Sequence, residues 1–193
     1  MRAVRASENT LAAVTICTMF VNKSFLTLWA ATIVFMCAAC SPNFNWREVH
    51  GTDPSYTVLL PSKPSSHTRD ISLDGQKLTM SMTAAETDDI NFAVASAKID
   101  NAAQRNAALL AMQKAMLQNI RGEMTQQKNI ALKDGTVMTE IHATGMTSTG
   151  RKLSLFARFG TREEYVFQVI ALGPPEKLTN EIADTFLSSF SAH

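Results

Sequence analysis

The sequence predicts an α+β domain, an antiparallel sheet with a mid-chain helix and a C-terminal helix packed on it. Three observations carry this. Short runs of alternating apolar and polar residues stand between Gly, Pro and Asp-Gly turn signals, as half-buried strands require. The hydrophobic period then changes from two to 3.6 between Asp100 and Gly122, as an amphipathic helix demands. Lastly, "EYVFQVIALG" (Glu164 to Gly173) is apolar on both faces, so it belongs at the centre of a sheet covered on each side.

The bulk numbers agree with one folded domain preceded by a targeting segment. The chain has 193 residues, 46% hydrophobic and 18% charged, too apolar for a disordered protein. Its net charge is +1, with no run of like charges, so it lacks the clustered basic face that nucleic acid would need. All three cysteines (Cys17, Cys37 and Cys40) precede the domain, which excludes a disulfide framework inside it. The expected organisation is a signal or membrane-targeting segment over 1–39, a flexible tether over 40–54 and a single α+β domain over 55–193.

The N-terminal segment comes first. "FLTLWAATIVFMCAA" (Phe25 to Ala39) is uncharged but, at 15 residues, short of the roughly 20 a spanning helix needs. Lys23 precedes it and the small Ala38 and Ala39 close it, the anatomy of a secretory signal. Read from Met19 instead of Met1, that signal is compact. "CAAC" followed by a polar stretch resembles the lipobox of a small Gram-negative bacterial lipoprotein: Ala38, Ala39 and Cys40 match its last three positions, and Cys37 stands where Leu is usual. The resemblance implies lipidation of Cys40, with acyl chains numerous enough to anchor the protein stably. It also implies the outer membrane, because Ser41 stands where retained lipoproteins carry Asp. An uncleaved signal-anchor helix at the inner membrane and plain secretion are the other readings. All three place the remainder outside the cytoplasm.

"SPNFNWREVHGTDPS" lacks periodicity and reads as tether, with Trp46 expected to dock on the domain. "SYTVLLP" is a strand stopped by "PSKPSS". "LDGQ" carries a hairpin signal, and "KLTMSMTAAE" places Leu78, Met80, Met82 and Ala84 on one face. "NFAVASAKI" is a further strand. The helix has Asp100 or Asn101 as cap, Gly122 at its C-cap, and a stripe of Leu109, Met112, Met116 and Ile120. "MTQQKNIAL", a second Asp-Gly turn, "TVMTEIHATGM", "KLSLFARFG" and "EYVFQVIALG" are strands. "PPEKLTNEIADTFLSSF" ends the chain as a helix with Leu178, Ile182, Phe186 and Phe190 on one stripe. In this order the chain from Ser55 to Phe190 resembles the fold shared by the PsbP subunit of photosystem II and Mog-type Ran-binding proteins. The resemblance rests on "YTVLLPSKP", the mid-chain helix, "EYVFQVIALG" and "IADTFLSSF", and it implies a sandwich that acts through protein contacts.

No nucleophile elbow, P-loop, zincin or dinucleotide motif occurs, so no catalytic, cofactor or metal residue is expected. Glu140 and His142 share a strand face and read as an exposed polar pair. Met80 with Met82, and Met112 with Met116, form two same-face pairs; thioethers suit Cu(I), but in a core they fill gaps. "ETDDI" reads as a solvated turn. The expected function is therefore that of a lipid-anchored envelope protein serving as a protein-binding or assembly module. A small-ligand or metal binder, possibly of copper, is the alternative, with an unrecognised hydrolase last. The expected partners are the membrane, through the anchor, and another protein.

Overall fold

The computed structural model describes residues 44–73 and 75–193. The signal segment and Cys40 lie outside the described residues. In chain order the elements are β1 (Arg47–Thr52), β2 (Ser55–Leu60), β3 (Ser65–Leu73), β4 (Gln76–Thr87), β5 (Ile90–Lys98), α1 (Ala102–Asn119), β6 (Glu123–Ala131), β7 (Val137–Met146), β8 (Lys152–Arg162), β9 (Tyr165–Gly173), α2 (Asn180–Ser189) and β10 (Ser191–Ala192). The class is α+β with antiparallel sheets, as the periodicity predicts.

Seven strands form one sheet in the order β3-β4-β5-β9-β8-β7-β6, and β1-β2-β10 form a second, smaller one. Strand β9 is the fourth of seven, where its two apolar faces require it to be. Val166 and Ile170 face one core with Met112 of α1 and Ile120 just beyond its end. Phe167, Val169 and Ala171 face the other, closed by Leu60 of β2 and by Phe186 and Leu187 of α2. The layers are thus α1, the large sheet, then α2 with the small sheet.

The start of the domain differs from the expected 40–54 tether. Residues 47–52 pair residue by residue with β2, from Arg47↔Leu60 to Thr52↔Ser55. Only Val49 and Gly51 among them are even partly buried, so this strand is held by backbone pairing and leaves no apolar alternation to read. Trp46 does dock: its ring lies edge-on to the fully buried Phe92 at 5.7 Å.

The two Asp-Gly signals have different outcomes. The link between β3 and β4 contains Gly75 at φ +82°, which glycine adopts without steric cost. Asp134-Gly135 sits in a longer link, and Asp134 ties down the end of the chain. Its Oδ1 accepts from the Thr136 N–H at 2.8 Å, and its Oδ2 from the Ala192 N–H at 3.1 Å. "ETDDI" contains the β4–β5 turn, where Asp88 and Asp89 both have positive φ and both accept from Lys177, at 3.0 and 2.9 Å.

Helix α1 begins on Asn101, whose Oδ1 accepts from the Gln104 N–H. Its C-cap is Ile120 and not Gly122. The Gly122 N–H donates to Leu117 C=O and the Arg121 N–H to Gln118 C=O, a Schellman motif whose left-handed residue is Arg121 at φ +47°. Gly122 is needed for space: a Cβ there would lie 2.8 Å from the Thr144 carbonyl. Gly145 is tighter still, its Cβ 2.4 Å from the Ile120 carbonyl, so the helix end rests on the backbone of β7. Arg121→Gly removes the left-handed strain and is expected to raise stability by about 0.5–1 kcal/mol, read from the denaturation midpoint at unchanged slope. Arg121→Val is expected to lower it, because β-branching disfavours that φ.

Candidate functional site: a buried charge ladder beneath helix α2

On the α2 side of the sheet, register places Lys128 of β6 opposite Glu140 of β7, and Glu140 opposite Arg158 of β8. Three charged residues therefore stand in line across three strands, at the range where cross-strand pairs interact. The Glu140 side chain is 2% exposed. It accepts from Arg158 Nε at 2.7 Å, from Lys128 Nζ at 2.9 Å, and lies 3.3 Å from His142 Nε2. His142 in turn packs edge-on against Phe156 at 4.5 Å. Arg158 reaches in the other direction too, its NH1 donating to the Leu187 carbonyl at 2.5 Å. That carbonyl lies in the last turn of α2, where a cation meets the negative end of the helix dipole and a backbone acceptor that otherwise takes only a long, 3.4 Å bond from the capping Phe190 N–H.

Burial alone would push the Glu140 carboxyl up. The hydrogen bonds from Lys128 and Arg158, with their charges, outweigh it and hold the carboxyl below its ordinary 4.5. An ionised carboxylate so held is a poor proton acceptor at neutral pH, and among the described residues no hydroxyl or thiol is bonded to it. Ser189, on α2, has both its hydroxyl's roles filled: it donates to Phe186 C=O at 2.6 Å and accepts from the Leu59 N–H at 2.8 Å. The ladder therefore fixes shape and charge.

A cleft of about 520 Å³ opens over the ladder, between α2 and strands β6 to β8. Glu140 and Arg158 form part of its floor, Ile130, Leu132 and Phe190 supply apolar surface, and Lys133 and Asp184 stand in its lining. A roomier hollow of about 590 Å³ near Met146 and Lys152 contains no buried charged group.

Of the residues singled out in the sequence, Cys40 lies outside the described residues. His50 pairs with Glu48 on β1, His67 is exposed on β3, and His193 meets Thr57. Only His142 joins the site, and its partner Glu140 is buried, against the expected exposed pair. Lys128 and Arg158 were missed. The signal for Arg158 was its position alone in apolar "LSLFARFG"; Lys128 needed the register. Both methionine pairs do lie on the core side of the sheet under α1. Among the described residues no three His, Cys, Asp or Glu side chains gather to hold a metal, and no helix is long and apolar enough to cross a membrane.

The layered sheet, its covering helices and the small terminal sheet define a PsbP-like α+β module. A cyanobacterial PsbP (CyanoP) from Synechocystis has this fold: its solution structure matches 80% of this chain and 96% of its own at TM-score 0.55 and 13% identity. That likeness is one of fold alone. A Pseudomonas aeruginosa protein of unknown function matches 69% of this chain and 85% of its own at 13% identity, with a TM-score of 0.34. No protein-family model matches the chain. No curated protein matches it at significance.

Glu140→Gln preserves shape but leaves Arg158 buried without its counter-charge, and is expected to cost about 3–5 kcal/mol at neutral pH. Because the folded-state pKa of Glu140 is lowered, its contribution is complete above the unfolded-state value and is lost as pH falls through the folded one. The stability gap between wild type and variant, followed by denaturation at stepped pH, is expected to narrow below about pH 4.5.

Proposed function

We propose that this protein is a lipid-anchored component of a bacterial cell envelope, held through Cys40 at the outer membrane with its domain in the periplasm. There the domain binds another protein without catalysing a reaction. The observation that carries the binding role is the cleft over Glu140. Its interior charges are committed to one another, which disfavours proton transfer, while its lining offers apolar surface with the free charges of Lys133 and Asp184. Neither of these two has an ion-pair partner among the described residues. Such a mixed surface recognises a partner by charge pattern and shape. The lipobox-like "CAAC" supports the anchor, because acylation at Cys40 would supply the double signal that stable attachment takes.

Two experiments test the parts separately. Metabolic labelling with a radioactive fatty acid is expected to mark the wild type and to leave Cys40→Ala unlabelled; equal label in both ends the lipoprotein reading. For the cleft, a photo-crosslinking residue placed at Ser188 is expected to capture one discrete protein from intact envelopes. The double charge reversal Lys133→Glu with Asp184→Lys is expected to cut that capture at least about tenfold, a change of roughly 1.4 kcal/mol in affinity. Capture that survives the reversal, or is equalled by a crosslinker at exposed Lys77, removes the cleft as the docking place.

A further inference from the structure

The cleft over Glu140 is walled on its outer side by β6, and β6 ends the large sheet. Its backbone therefore has one free side. Leu132 N–H donates to Thr136 C=O at 2.8 Å, and an antiparallel ladder exchanges its bonds at every second pair. Ile130 and Lys128 thus turn their peptide groups towards β7, opposite Met138 and Glu140. Gln127, Asn129 and Ala131 turn theirs away from the sheet, and no hydrogen bond joins those groups to another described residue.

A free edge of this kind matches the backbone of another extended strand. Natural proteins blunt such edges with proline, short strands or bulges. β6 is 9 residues long, contains no proline, and only its Ile130 is even partly buried. Its bulge lies between Met124 and Gln126, which leaves residues 126–131 regular, a run of about 20 Å. β3, the end strand on the other side, differs on the face towards α2. There Ser66, Thr68 and Asp70 are bonded across to Thr83, Ser81 and Thr79, so that face holds polar groups already satisfied. On β6 the same face carries Ile130, and Leu132 and Lys133 continue the cleft lining beyond it. Lys133 stands in no ion pair among the described residues.

We propose that the cleft's partner enters as an extended strand of another protein, paired with residues 126–131 of β6. The backbone of that strand takes the free groups of Gln127, Asn129 and Ala131. Its alternate apolar side chains lie beside Ile130 and Leu132 at the cleft mouth, and an acidic side chain meets Lys133. Charge decides against a second copy of this chain. A two-fold axis at Asn129 would pair the run with itself, but it sets the two Lys128 side chains diagonal to each other, where like charges repel. Strand pairing at β6 rests on the docking role given to the cleft, and adds the form of what docks there.

Asn129→Pro is the discriminating change. It deletes an outward N–H and no bond to β7, and an edge strand tolerates proline at such a position. It also removes the Asn129 side chain that accepts from Thr139, as Asn129→Ala does while keeping the N–H. In intact envelopes, with the photo-crosslinker at Ser188, Asn129→Ala is expected to capture as much partner as the wild type. Asn129→Pro is expected to capture at least about tenfold less. A second measurement needs no proline, and decides the matter should that variant unfold. Crosslinkers at Gln127 and at Asn129, two apart on one face of β6, are expected to join the partner at two residues likewise two apart in one run. Two outcomes overturn the strand and leave the cleft's docking role intact: capture by folded Asn129→Pro equal to that by Asn129→Ala, or linked residues three or four apart, as on a helix. Linkage to a second copy of this chain also overturns it. No capture at Ser188 removes the docking role and the strand together.

Discussion

Strand β9 has no face that water reaches over most of its length, and the rest of the architecture answers that condition. Val166 to Ala171 are all buried, so both sides of the sheet must be covered at its centre. Helix α1 covers one side by crossing from β5 to β6. The other side cannot be covered by the same element, and is closed by α2 with β2. Those segments lie at opposite ends of the domain's sequence, so the second core draws its walls from the whole chain. The fully buried Phe92, Phe167 and Phe186 meet there, with Phe92 edge-on to Phe186 at 5.1 Å. Closely packed aromatics of this size supply much of the apolar burial.

Away from β9 that second layer meets charge. At β7 and β8 the face under α2 carries Glu140 and Arg158 in place of hydrocarbon. A buried ion pair rarely adds net stability over apolar packing, but breaking one is costly, so it acts through specificity. Here Arg158 is bonded to Glu140 in the sheet and to Leu187 in the helix. Sliding α2 by a turn would strand a guanidinium in a dry place. The ladder thus sets where α2 lies on the sheet, and with it the width of the cleft above.

Sequence periodicity reveals a strand's apolar face well, and so α1, α2, β8 and β9 were legible with the correct sides inward, whereas β7 buries Met138 and Glu140 on one face as well as Ile141 and Ala143 on the other. It reveals nothing about what covers the other face. Glu140 and His142 look solvent-facing until α2, some forty residues later, is laid over them. Lys128 and Arg158 gain meaning only from register, which no local pattern in β6 or β8 specifies. β1 escaped because its contribution is backbone pairing. The methionines read as two separate same-face pairs that pack in the core, and correctly sided, but the meeting of the two pairs depends on how α1 crosses β4. Local patterns speak of one element at a time, and the site arises between elements.

The small sheet carries a consequence for the order of assembly. β10 pairs with β2 across a separation on the scale of the 136 residues between Thr57 and His193, and Asp134 holds it there. Until residues in the 190s have emerged and found Ser55, β2 keeps one strand edge unpaired and the second core stays open at that wall. Closure is therefore a late event with a large loop entropy behind it. A chain built this way remains threadable through a translocation channel for longer than one whose first strands pair only with their neighbours.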